Sequence, residues 1–436
     1  MNYCSRCLYP SNHPYGILFD NNNLCSGCIV HEEKNLINWK KKLNILEKIV
    51  SNYKKENNGK NFDCIVPVTG GSDSFYTLHV VKNILNLNPL LVNYNSHFNT
   101  KIGIRNLSKL VTTFDCDMVT STLSPNLLKR ITKLTLKKYG SIYWQVLSGL
   151  TTFPVQTAVK YKIPLIIWGV HGWSEQTGMF SHHDQVEMTQ RCRREHALLG
   201  IKAEDLIDEK FKLSRRDIQP FIYPYDNEIE AIGIRGLYLS NYIRWDSKKQ
   251  HEKMIKLYGY ETEKQQRTFN TYEDVHCMHS AGLHDYIKFI KYGYAKVHDH
   301  ATREIRLQRM TRLEGIKMVK KYLYKKPKDI KIFSKWIGMT EKKIFHQIDK
   351  FRDKNIWKYK KKKWILLDCV SNHKNDPSLK KTKLKIKEKC IFLKTKLNEQ
   401  PTKSEKIYTL MGRSYYDQNN YGAIKDKPKK IRYELL

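Results

Sequence analysis

Apolar positions along the chain alternate between two patterns. From Glu32 to about Asn57, Leu36, Trp39, Leu43, Leu46, Ile49 and Val50 recur at helical spacing with lysines between them, which predicts an amphipathic helix. Phe62 to Val68 is a short continuous apolar run of strand type. It passes through Thr69-Gly70-Gly71-Ser72-Asp73-Ser74 into a helical stretch marked by Phe75, Leu78, Val81 and Leu85. A second strand is predicted over Pro89 to Tyr94, a helix over about 100–114, a third strand over Asp117 to Thr120, and a buried-type strand over Ile163 to Trp168. A helical segment is predicted from Glu187 to Leu199. Strand runs alternating with helices predict an α/β fold with a doubly wound, mostly parallel sheet. Ligands in such sheets bind beyond the carboxyl ends of the strands, so Thr69 to Ser74, Asn93 to His97 and Gly169 to Glu175 are expected to converge on one crevice.

Composition narrows the class. The chain has 436 residues, 40% of them hydrophobic and 11% aromatic, which excludes a disordered polyelectrolyte. That length supports about two to three domains. No apolar stretch reaches the roughly twenty residues of a membrane span and no secretory h-region opens the chain, so a cytoplasmic protein is expected. The net charge is +35, but positions 311–436 hold 36 basic against 13 acidic side chains, or +23, leaving +12 for the first 310 residues. Runs such as Lys358 to Lys363 and the alternating Lys381, Lys383, Lys385, Lys387 and Lys389 suit a polyanion or acidic partner, or a solvated face.

Four of the ten cysteines form two pairs, Cys4-Ser-Arg-Cys7 and Cys25-Ser-Gly-Cys28. Two such knuckles around a short Pro/Gly/Asn-rich excursion can deliver four thiolates to one tetrahedral Zn²⁺. A closed four-sulfur shell leaves no place for water, so the metal is expected to be structural, replacing a core that about thirty residues cannot build. An iron–sulfur cluster is the alternative occupant. His13 and His31 are read as bystanders.

Strand, glycine loop and helix together form a nucleotide architecture: the glycines let the backbone approach an anion, and amides at the helix start point toward it. The loop lacks the closing Lys-Ser/Thr of a Walker A sequence and does not fit the dinucleotide spacing. It resembles the SGGxDS loop of the PP-loop ATP pyrophosphatases, with Thr69 in place of the usual Ser and Ser72 at a variable position. That resemblance implies an adenine nucleotide alpha hydrolase-like fold, ATP cleavage between the α and β phosphates, and Mg²⁺. Thr69, Gly70, Gly71, Ser72, Asp73, Ser74, Asn93, Asn95 and Gly169 become the candidate nucleotide residues, with Asp73 orienting Mg²⁺ or the loop.

The wider pattern resembles the N-acetyl sugar amidotransferases of bacterial surface-polysaccharide and nonulosonic acid biosynthesis, the WbpG/PseA-like group, over most of residues 1–360. The resemblance rests on both cysteine pairs, the loop, and Phe153 to Gln156 leading to Ile163 to Gly169. It continues through Tyr238 to Asp246, Phe269 to Asp274, Gly282 to Lys288, Tyr292 to Lys296 and His298 to Arg306. It implies an enzyme that adenylates the acetamido oxygen of an N-acetyl sugar and replaces it with ammonia-derived nitrogen, giving an acetamidino group. No cysteine has the setting of a glutaminase nucleophile, so a separate glutaminase subunit, with a cyclase-like barrel subunit, is the implied ammonia source. His171 or Glu175 is a candidate proton acceptor; either can instead cap the following helix. Lys288, Lys296, Asp299, His300, Arg303 and Arg306 are candidates for an acidic sugar, or for an ion-pair network holding the C-terminal helices.

The organisation expected is a zinc module over 1–31, a linking helix over 32–60, the ATP-binding domain over 61–260, a helical substrate or partner region over 261–366 and a basic extension over 367–436. The competing reading is a PP-loop tRNA thiolase binding RNA through the basic tail. Against it, Cys64, Cys116, Cys192 and Cys277 are not paired as CxxC.

Overall fold

The structure is a computed structural model that describes residues 1–373; the lysines at 381–389 and most of the basic extension lie outside the described residues. Five strands, β1 (Cys64–Val68), β2 (Pro89–Asn95), β3 (Met118–Thr122), β4 (Leu165–Trp168) and β5 (Arg235–Tyr238), form a parallel sheet in the order β3-β2-β1-β4-β5. Among the helices that precede β5 are α1 (Ser26–Glu33), α2 (Trp39–Asn57), α3 (Ser72–Leu78), α4 (Lys101–Phe114), α5 (Pro125–Tyr139), α6 (Trp144–Tyr161) and α7 (Gly172–Thr177).

The sheet is covered on both faces, which is why its central strands read as continuous apolar runs. Cys64, Val66 and Val68 pack with Leu46 and Ile49 of α2, Phe75 of α3 and Leu110 of α4. Ile65, Leu90 and Val92 face the other way, against Val155 and Ala158 of α6. From β1 the chain moves outward through β2 and β3 and then returns to place β4 on the other side of β1. The strand order therefore switches between β1 and β4, and their carboxyl ends open onto the crevice where α/β sheets hold ligands.

Two expectations are corrected. The amphipathic stretch 32–57 is two helices, because Asn38 caps α2 by accepting from the Lys41 amide at 3.0 Å. Leu36, in the break, is exposed. Of the helix expected from Glu187 to Leu199 only 190–197 is helical: Glu187 instead pairs with Arg235 at 2.6 Å and Met188 bridges to Gly236. Strand β5 itself was not anticipated, since Arg235 and Gly236 interrupt its apolar pattern.

Beyond the sheet, helices Met278–Tyr292, Lys296–Arg306 and Arg312–Tyr322 share a core through Leu283, Ile287, Val297, Ile305 and Ile316, which also takes in Tyr3 and Leu8 from the amino terminus. No helix among the described residues is long and apolar enough to cross a membrane.

Candidate functional site

The glycine loop is braced from inside. Thr69 Oγ1 accepts from the Gly71 amide at 3.1 Å, and the Thr69 amide donates to Ser74 Oγ at 2.9 Å. Ser74 therefore closes the loop with its side chain. A Cβ on Gly70 would lie 2.2 Å from the Gly103 carbonyl oxygen of α4, and one on Gly71 would lie 3.0 Å from His276 Nδ1. Both positions need glycine because other parts of the chain come up against the loop. Ser72 is buried at the start of α3, whereas Asp73 is half-exposed, its Oδ1 3.0 Å from His251 Nε2.

Around the loop, Asn93 donates to the Val68 carbonyl at 2.9 Å and lines a cavity of about 220 Å³ with Thr69, Gly70 and His276. Asn95 is used locally instead: its Oδ1 accepts from the His97 amide at 3.0 Å and from Asn99 at 2.8 Å. Gly169 follows β4, where a Cβ would meet Thr77 Oγ1 of α3 at 2.9 Å. It is a packing glycine at the switch point.

Helix α7 carries the two candidate proton acceptors in different directions. His171 caps α7 through Nδ1, 2.7 Å from Ser174 Oγ, and its Nε2 faces Cys192 Sγ at 3.7 Å. Burial pushes its imidazole down to about 4. Of the two alternatives expected for it, the helix cap is the one its Nδ1 makes, and it is not among the residues that line the cavity of Glu175. Glu175 pairs through Oε2 with the buried Lys34 at 2.5 Å, and its Oε1 is buried with no hydrogen-bond partner among the described residues. Burial lowers the Lys34 pKa against the opposing pull of Glu175.

Glu175 lines a polar cavity of about 290 Å³ with Asp73, Lys296, Asp299, His300 and Arg303. The cations come with carboxylate partners. Lys288 Nζ is 2.5 Å from Asp299 Oδ2, whose other oxygen accepts from Tyr9 at 3.0 Å. Lys296 is paired with Asp274. Glu273 takes His300 Nε2 at 2.8 Å and Arg303 Nη1 at 2.5 Å. Burial alone would raise the Glu273 carboxyl, yet Arg303 and His300 hold it well below the usual range.

Arg306 reaches from this cavity to the cysteine module. Its Nε is 3.4 Å from Cys28 Sγ, its Nη2 3.5 Å from Cys25 Sγ, and its Nη1 donates at 2.8 Å to the carbonyls of both Glu175 and Gln176. Its nitrogens meet thiols and backbone carbonyls, so it braces the cysteine module against α7, and it also lines the polar cavity with Glu175 and Arg303.

Cys4, Cys7, Cys25 and Cys28 are buried with their sulfurs all within 4.8 Å of one another. Cys7 and Cys25 are 3.6 Å apart, and Cys4 and Cys28 3.9 Å. A tetrahedral ion with Zn–S bonds of 2.3 Å needs sulfurs about 3.8 Å apart, so the donor set can hold a metal such as zinc. His13 and His31 lie outside this group of four.

A third, aromatic cavity of about 330 Å³ adjoins the polar one. Tyr15 stacks on Trp173 with centroids 3.7 Å apart, and Tyr143 stacks on His284 at 4.2 Å. Asp274 lines all three cavities.

Several of these groups escaped the sequence reading. Lys34 sits in an ordinary lysine-rich stretch, and Glu273 and Asp274 were noticed only within a resembling segment. His276 faces Gly71 through an Nδ1 that has no hydrogen-bond partner among the described residues. Burial opposes the charge on His276, but Cys277 and Asp274 raise its pKa above the ordinary value.

The family model of the LPS biosynthesis protein WbpG-like C-terminal domain matches residues 266–370, the segment holding Glu273, Asp274, His276, Lys296, His300 and Arg303. A stretch of 116 residues is 29% identical to an uncharacterized protein of Methanocaldococcus jannaschii, covering 27% of this chain and 41% of that protein. The chain thus spans about two fifths of the curated relative it matches. The segment that supplies most of the polar site is thus the part of the chain that is similar to the WbpG-like C-terminal domain.

Proposed function

We propose that the protein is an ATP-dependent, AMP- and pyrophosphate-forming amidotransferase of the PP-loop type. Its substrate is an N-acetyl sugar, either nucleotide-linked or a nonulosonic acid, destined for a surface polysaccharide or flagellin glycan. The observation that carries this reading is that Asp274, from the WbpG-like segment, borders the glycine-loop cavity, the polar cavity and the aromatic cavity together. A nucleotide at the loop and a sugar at the WbpG-like segment would then share one space.

ATP supplies the activation that turns a poor amide electrophile into one with a departing oxygen. The chain's own groups have the remaining tasks. Within the loop the amides of Gly71 and Ser74 are committed, to Thr69 Oγ1 and the Gly71 carbonyl. The amides of Ser72 and Asp73 at the start of α3 are the donors left for phosphate oxygens, and His276 adds a cation opposite Gly71. Asp73 is the carboxylate positioned to hold Mg²⁺. Tyr15 and Trp173 offer a flat apolar platform of the kind that takes a sugar face, while Lys296, His300 and Arg303 provide charge for an acidic group on it. Glu175 Oε1 is the acceptor for the proton released by attacking ammonia. Ammonia comes from a separate glutaminase subunit working with a cyclase-like barrel subunit, in the cytoplasm.

The test is incubation of the full chain with ATP, Mg²⁺, ammonium and a panel of UDP- and CMP-linked acetamido sugars. AMP, pyrophosphate and a sugar about one mass unit lighter are expected, since NH replaces O. ADP and phosphate as sole nucleotide products would overturn the reading, and sulfur incorporated into RNA would favour thiolation.

A further inference from the structure

We propose that His171, Cys192 and His196 form a second metal site, for zinc or a similar borderline divalent cation, separate from the four-cysteine cluster. All three side chains are buried, and one ligand atom from each can be chosen so that all lie within 4.8 Å of one another. His171 Nε2 stands 3.7 Å from Cys192 Sγ. An ideal tetrahedral zinc with bonds of 2.3 Å to sulfur and about 2.05 Å to nitrogen separates such a pair by about 3.6 Å.

The three come together from two parts of the fold. Cys192 and His196 are four residues apart in the helical segment 190–197, the spacing that puts side chains on one helix face. His171 arrives from the carboxyl end of β4. A thiol–imidazole hydrogen bond would account for Cys192 beside His171, but not for a second imidazole converging on the same point. His171 Nδ1 lies 2.7 Å from Ser174 Oγ, the kind of outer contact that sets the tautomer and ring angle of a ligating histidine. The surroundings are largely aromatic: the Phe180 ring lies 5.8 Å from His171 and 5.6 Å from His196, and the Tyr238 ring 5.1 Å from His171. One thiolate and two imidazoles are a donor set typical of zinc and distinct from the four thiolates of the amino-terminal module. Such an ion would tie the segment 190–197 to the start of α7, the helix that carries Glu175.

The experiment uses the full chain purified without a polyhistidine tag, equilibrated with zinc chloride and desalted. Metal per chain is measured together with zinc K-edge X-ray absorption. The expected result is about two zinc ions per chain with a shell averaging sulfur and nitrogen, since four thiolates alone give sulfur only. Cys192→Ser and His196→Asn should each remove about one equivalent and return the shell to sulfur. About one zinc per chain in an all-sulfur shell overturns the proposal, as does an unchanged count and shell in both variants. The wild-type absorption spectrum decides even if a variant fails to fold.

Discussion

Arg306 Nε lies 3.4 Å from Cys28 Sγ, although 278 residues separate the two in sequence. The same guanidinium donates to the carbonyls of Glu175 and Gln176, so the cysteine module and the helix bearing the candidate proton acceptor are set against each other through one side chain. A metal held by four thiolates carries a net negative charge in a buried place, and Arg306 is the cation that offsets it.

Removing that cation should weaken the metal. Arg306→Ala is expected to lose zinc to a competing chelator at about 10–100-fold lower chelator concentration than the parent, the usual cost of deleting an outer-shell partner. Arg306→Lys keeps the charge but cannot reach sulfur and carbonyls together, so it should fall between. Chelator titration followed with a zinc-responsive dye measures this, and identical curves for all three proteins would show the contact to be incidental.

Two neighbouring glycines should respond unequally to an added methyl. The Cβ of Gly70→Ala runs into the Gly103 backbone, which cannot move without shifting α4, whereas that of Gly71→Ala meets the tip of His276. Gly70→Ala is expected to cost about 1–3 kcal/mol, the range for overpacking, and Gly71→Ala less. Urea unfolding of each variant gives the comparison; equal losses would place the restraint elsewhere.

Acid should destabilise the C-terminal helices over a defined window. Burial pushes His298 and His284 down to about 4, so both are neutral in the folded protein at pH 5 to 6. The unfolded chain takes up those protons near the ordinary value of about 6.5, so the unfolded state binds more protons between the two values. Stability is then fully present above about 6.5, falls toward pH 4, and gains no further loss from these groups below that. Each contributes about 1.4 kcal/mol per pH unit within the window. Unfolding of the parent and of His298→Gln from pH 4 to 7.5 checks the sign: the variant should show a shallower slope.

Asp73 should be needed for chemistry and dispensable for architecture. Its side chain is half-exposed and its Oδ1 lies 3.0 Å from His251 Nε2. Asp73→Ala is expected to abolish AMP release, by at least about 100-fold, with zinc content and melting behaviour unchanged. Loss of bound zinc along with activity would mean that the substitution acts through folding.

What could be read from the sequence was what depends on near neighbours. Strands β1, β2 and β4 announce themselves because a strand covered on both faces is apolar at successive positions. The cysteine pairs do so because each knuckle is built from residues three apart. The loop at Thr69 to Ser74 was legible for the same reason: strand, glycines and helix start are contiguous. Strand β5 was not, since its place between Met188 and β4 compensates for an arginine and a glycine that no local pattern explains. The basic residues of 288–306 were visible as a cluster, but their partners decided their roles. Glu273 holds His300 and Arg303, Asp274 holds Lys296, and the cysteines hold Arg306. A side chain's type determines what it can bond to; which partner it meets follows from tertiary packing, because a hydrogen bond or ion pair acts over a few ångströms of space regardless of the hundreds of residues between its ends.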